Sequence, residues 1–167
     1  VREINKAQKR GTELSPEEVF SSMPPIESLR MLASEWMTLD KETDHVDTVM
    51  ALFDVSSAHF YGEAERKLYV DFPAELGTAA EVGLLLKTMY GTMDASNIWG
   101  KTWQEHLRTH SYDIGKANQA LYAGCGVKGF CHGDDFATLG TKAEVLKFAE
   151  ILKLKFDIRM VGMIGFG

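Results

Sequence analysis

The stretch Phe130-Cys131-His132-Gly133-Asp134-Asp135-Phe136-Ala137-Thr138-Leu139-Gly140 carries two adjacent carboxylates between two apolar runs rich in β-formers. Gly133 followed by Asp134 is the chemistry of a tight turn, so the pattern predicts a hairpin with the Asp pair at its tip. Two negative charges held together at a sheet edge must be neutralised. A third carboxylate, Asp54, ends another apolar run, Val49-Met50-Ala51-Leu52-Phe53, and any meeting between it and Asp134 must be made by the fold. Three carboxylates on rigid strand ends would form a hard-oxygen site for divalent cations such as magnesium. On Gly-Asp-Asp alone the simpler reading is a polar hairpin turn chosen for its backbone preferences.

The rest of the chain decides between these readings. Apolar residues recur at helical spacing at Ile26, Leu29, Leu32, Ala33, Trp36 and Met37, behind Pro24-Pro25, which predicts an amphipathic helix packed on a core. Residues 48–55 read as a strand ending at Asp54-Val55. Lys67 to Pro73 reads as a second strand, stopped by proline. Asp94 is a candidate N-cap for a helix running to about His110 that buries Ile98, Trp99, Trp103 and Leu107. His106 and His110 stand four apart on it, a metal-ligand spacing, but no Glu lies between them as a zinc protease needs, and satisfied or surface histidines are the better reading. Residues 120–125 and 127–132 read as short strands. Thr141 with Glu144 makes a capping box for a last helix, and 158–161 is a final short strand.

With the excursion at 62–92 set aside, the order is strand, helix, strand, strand, helix, strand (βαββαβ), a ferredoxin-like pattern within an α+β chain. In that antiparallel sheet the first strand lies beside the third. Asp54 would then reach the turn at Asp134-Asp135, and a merely structural turn has no need of it.

Composition narrows the classes. The 167 residues, 45% of them hydrophobic, suffice for one sizeable core, and 24 acidic against 18 basic residues give a net charge of −6, which argues against a strong autonomous phosphate-binding surface. Arg2, Lys6, Lys9 and Arg10 form a small basic cluster best read as a solvated face. No apolar run is long enough for a membrane span and the N-terminus is too polar for a signal peptide, so an intracellular protein, not a secreted one, is expected. Cys125 and Cys131 match neither a zinc knuckle nor a disulfide framework and fit reduced thiols. The absence of an initiator Met and the stop at Gly167 suggest a fragment.

These residues resemble a known family, the reverse transcriptase domain of copia-type retrotransposons. Phe53-Asp54-Val55-Ser56-Ser57-Ala58-His59-Phe60-Tyr61-Gly62 is similar to the family's Leu-Asp-Val-x-x-Ala-Phe-Leu-x-Gly, and Leu68 to Pro73 to the strand that follows it. Val19 to Arg30 is similar to the segment upstream. Met89-Tyr90-Gly91 through Trp99 resembles Leu-Tyr-Gly-Leu-Lys-Gln-Ala-Pro-Arg-x-Trp, residues 130–140 resemble Tyr-Val-Asp-Asp with its trailing strand, and Glu144 through Gly167 resembles what comes after.

The resemblance implies a polymerase fold of fingers and palm without a thumb, with 1–47 as a fingers-like segment, 48–167 as the palm and 62–92 as a fingers-type insertion. It implies an RNA-directed DNA polymerase (a nucleotidyltransferase) in which Asp54 and Asp134 hold two magnesium ions about 3.5–4 Å apart, with Asp135 in support. The nucleotide side would comprise Val55, the amides of Ser57 and Ala58, His59 as a gate against a ribose 2′-hydroxyl, Asp94, and Arg2 or Lys6 as the basic residue. The substrates would be deoxynucleoside triphosphates and the partner an RNA or DNA template with primer. Integrase and ribonuclease H regions of one polyprotein would accompany the domain, in a cytoplasmic particle or the nucleus.

Departures from the pattern leave other readings beside this leading one. His132-Gly133 replaces Tyr-Val, which removes an aromatic and loosens the hairpin through glycine entropy. Asp94, Ser96 and Asn97 stand where the family has Gln, Pro and Arg, so a donor to the nucleotide becomes a negative charge that magnesium would have to compensate. The alternatives are therefore a decayed or domesticated retroelement fragment without polymerase activity, binding only nucleic acid or a protein, and another palm enzyme of the nucleotide cyclase kind.

Overall fold

The computed structural model describes residues 14–38, 47–72, 75 and 82–165. Arg2, Lys6, Lys9 and Arg10, residues 39–46, Pro73 and Gly167 lie outside the described residues. The fold is a mixed α+β one with two antiparallel sheets. It divides into two compact units, one of residues 1–21 and 59–102, the other of residues 22–58 and 103–167.

The first unit contains a short helix α1 (Pro16–Val19), a 3-10 turn (Ala58–Tyr61, shared with the other unit), the hairpin β2 (Glu63–Asp71) with β3 (Val82–Lys87), and the first part of α3 (Ala95–Thr109). Helix α1 begins on a capping box: Ser15 Oγ accepts from the Glu18 amide and the Glu18 carboxylate accepts from the Ser15 amide at 2.7 Å. Those two bonds satisfy donors that a helix start leaves open, and the Ser15 amide first, then the Ser15 hydroxyl, draws the Glu18 carboxyl below its usual range. Asn97 fastens the segment by donating to the Glu17 and Phe20 carbonyls, at 3.1 and 2.5 Å.

The second unit is built on a six-stranded antiparallel sheet. Its strands are β1 (Thr48–Val55), β4 (Asp113–Ile114), β5 (Leu121–Gly124), β6 (Val127–His132), β7 (Asp135–Thr141) and β8 (Ile158–Gly165), in the order β4-β5-β6-β7-β1-β8. Helix α2 (Ile26–Thr38) buries Leu32 against Phe130, Ala137 and Leu139. Helix α4 (Lys142–Lys153) starts on the Thr141–Glu144 capping box and buries Val145, Phe148, Ala149 and Leu152. Val49, Ala51, Phe53 and Val55 alternate inward along β1, the period of a half-buried strand. Tyr122 stacks on Phe148 at 5.1 Å, and Trp103 meets Phe136 edge-on at 5.5 Å.

A tight turn fixes the register at the chain's acidic centre. Between β6 and β7 the loop is Gly133-Asp134, with Gly133 at φ +64 and Asp134 outside the positive-φ residues, as a type II′ hairpin requires. Gly133 is thus the residue this turn demands, which corrects the expectation that glycine loosens the hairpin. On the far side of the sheet, Gly129 lies between Tyr122 and Thr138 in register. The Tyr122 ring crosses it, so that the hydroxyl donates to the Ala137 carbonyl at 3.1 Å and meets Thr138 Oγ1 at 2.6 Å. Tyr122→Phe would strip the fully buried Thr138 hydroxyl of this partner and should cost about 1–2 kcal/mol in a denaturant melt.

Candidate functional site

Strand β1 runs antiparallel to β7 with Asp54 opposite Asp135, and β7 runs antiparallel to β6 with Asp135 opposite His132. On the other side of β1, Asp54 stands opposite Arg159 of β8. Residues directly opposed in a sheet share a face, with Cβ atoms about 4.5–5.5 Å apart. One row therefore crosses four strands as His132, Asp135, Asp54, Arg159, with two carboxylates bracketed by two basic side chains.

The fold thus places the end of the first strand at the hairpin, and the residue beside Asp54 in register is Asp135. Asp134 sits in the turn, where its carbonyl accepts from the Val55 amide at 3.0 Å. Burial, then Asp134 and Asp54, raise the pKa of the Asp135 carboxyl, and His132 partly offsets them. Burial, with the two neighbouring aspartates adding to it, pushes the Cys131 thiol well up, so it remains a neutral donor to the Gly133 carbonyl at 3.3 Å.

The cation at Asp54 is Arg159, whose Nη2 donates to Oδ2 at 3.5 Å. Its placement depends on an irregularity in β8. From Val49↔Gly165 to Leu52↔Gly162 the pairing is regular, then Phe53 pairs with Met160, so Val161 is an extra residue. Unshifted, Met160 would face Asp54; the bulge brings Arg159 there instead. Sequence reading gave Asp54 no cationic partner, because the bulge is invisible without the register.

Three carboxylates are the right donor chemistry for a hard divalent cation. Among the described residues, however, no group of three or more His, Cys, Asp or Glu side chains is placed to hold a metal ion, and one Asp54 oxygen already faces a guanidinium. The arrangement as it stands does not fit a two-metal centre.

The remaining residues implied by the resemblance fall as follows. Ser57 and Ala58 follow β1, with Ser57 in the left-handed region at φ 56, a conformation that costs a non-glycine residue of order 1 kcal/mol. His59 belongs to the other compact unit, where its ring meets Tyr90 edge-on at 4.2 Å and its Nε2 lies 3.3 Å from Ser96 Oγ. Asp94 is in that unit too. Its carbonyl accepts from the Ile98 amide at 3.0 Å, as a residue at a helix start does, while its carboxylate goes to Arg66. The Arg66 Nε and Nη2 donate to Asp94 Oδ2 and Oδ1 at 2.8 and 3.3 Å. A guanidinium from β2 therefore lies against this charge.

His106 and His110 are satisfied histidines. His106 is buried against Phe156, and its Nε2 donates to the Ile151 carbonyl at 2.8 Å. His110 Nδ1 donates to the His106 carbonyl at 2.8 Å. Burial is the main cause of a His106 pKa below the ordinary 6.5, opposed by the Ile151 bond. The unfolded chain then binds the proton more readily than the native one. Native stability from this residue is complete above about pH 6.5 and is lost as pH falls toward the depressed value. The acid limb of the melting temperature below about pH 6.5 should flatten in His106→Gln.

What the fold and site define is an α+β domain with a carboxylate row at the hairpin end of an antiparallel sheet. The chain is similar to part of a retrovirus-related Pol polyprotein from transposon TNT 1-94 of Nicotiana tabacum, at 26% identity over 108 residues, covering 63% of this chain and 8% of that protein. No protein-family model matches the chain, and no solved structure matches it. The similarity is that of a distant relation to retroelement proteins. Among the described residues no helix is long and apolar enough to cross a membrane.

Proposed function

We propose that this chain is a piece of a retroelement polyprotein that retains the sheet of a reverse transcriptase palm and does not itself polymerise. The palm reading is supported by the strand order β8-β1-β7-β6, with a helix after β1 and another after β7, which is that of a ferredoxin-like sheet. The partial similarity to a Pol polyprotein supports the retroelement origin. In this reading residues 48–167 derive from a palm, 1–47 and 62–92 from fingers, and integrase and ribonuclease H regions belong to the parent polyprotein. What is left is a folded module for holding nucleic acid or a protein.

The observation that carries the inactive reading is the Arg159 guanidinium on Asp54. A two-metal polymerase needs that carboxylate for a divalent ion. The Arg66–Asp94 pair agrees with it, since the place of the family's nucleotide donor is taken by a carboxylate whose side chain is only 6% exposed and already paired. One observation favours the active alternative, a magnesium-dependent RNA-directed DNA polymerase using deoxynucleoside triphosphates: the Asp54↔Asp135 register, which puts two of the required carboxylates side by side. Primer extension on an RNA template separates the two, and we expect no product above that of Asp54→Asn.

A further inference from the structure

At the hairpin end of the sheet one row contains a cation supplied by the chain itself, and the bulge at Val161 is what puts Arg159 into it. We propose that Arg159 is a built-in counter-ion that occupies the place of a divalent cation at Asp54, so that the carboxylate row is closed to metal by the protein itself. This rests on the functional reading above and names how the site is kept shut.

The guanidinium meets Asp54 Oδ2 at 3.5 Å, and a side chain 75% exposed gains little stability from such a pair. Its fixed positive charge still acts on any ion arriving at the same oxygen, and repulsion of a divalent ion is twice that of a monovalent one. The bulge is also specific in its effect. The alternative register would put uncharged Met160 opposite Asp54, leaving the two opposed carboxylates with only His132 beside them.

The test is a manganese titration of the whole chain, with free Mn²⁺ read by electron paramagnetic resonance at constant ionic strength. Arg159→Gln should bind Mn²⁺ at least about ten-fold more tightly than the parent, and adding Asp54→Asn should abolish the gain. Arg159→Lys, which keeps the charge, should bind as weakly as the parent. A structural role alone would not separate Gln from Lys in this way. Arg159→Met makes the same comparison if the Gln variant does not fold. Equal Mn²⁺ affinity in the parent and the uncharged variants, or a gain that survives Asp54→Asn, would overturn the proposal. The titration requires no polymerisation. Primer extension by the parent would sink the functional reading, and the titration would still judge Arg159.

Discussion

Phe148→Ala is expected to lower the stability of the chain by about 3–5 kcal/mol, a large part of what a domain of this size commands. Phe148 is fully buried on α4, and its ring meets Phe53, Tyr112, Tyr122 and Phe136 at centroid distances between 5.1 and 6.3 Å. Those partners come from β1, from β5 and β7, and from the segment after α3. Removing the ring leaves a cavity that no single element can close by moving alone. Leu154→Ala, an exposed side chain at the C-cap of the same helix, should change the melt by less than about 0.5 kcal/mol. Equal effects of the two would mean that the helix does not pack on the sheet by this face.

Gly129→Ala is expected to cost about 2–4 kcal/mol, although it adds a single methyl group. A Cβ at this position would lie 2.0 Å from the Ala137 carbonyl oxygen and 2.5 Å from the Tyr122 hydroxyl oxygen. The backbone atom cannot yield without breaking the β6–β7 ladder. Tyr122 can yield only by giving up its bonds to Ala137 and Thr138. Gly133→Ala also raises the energy, for a different reason: nothing lies within 4 Å of its would-be Cβ, and the strain comes from φ +64 alone. Thermal melts of the two variants should therefore differ, with Gly129→Ala the less stable.

How far the residues alone led depends on how local each signal was. The Thr141–Glu144 box, the alternation along β1 and the Gly133-Asp134 turn are written within a few residues, and each marks its element. The Ser15–Glu18 box was equally local and went unread because the segment around it is polar throughout. Strand β8 runs on to Gly165, past the expected end at Val161, because its pairing with β1 continues through the bulge although its inward-outward alternation does not. Asp54 and the hairpin could be brought together by topology, since antiparallel neighbours leave few arrangements. The counter-ions could not. Arg66 meets Asp94, and Arg159 meets Asp54, through pairings whose register no spacing in the chain encodes. The charge balance of the carboxylate row, on which the functional reading turns, was for that reason the part least visible in the sequence.

The reading stands or falls on single-nucleotide extension of a DNA primer on an RNA template, with deoxynucleoside triphosphates and magnesium or manganese, for the parent chain beside Asp54→Asn. The account predicts the same background for both. Extension by the parent that disappears in Asp54→Asn would contradict it and make the chain a working polymerase.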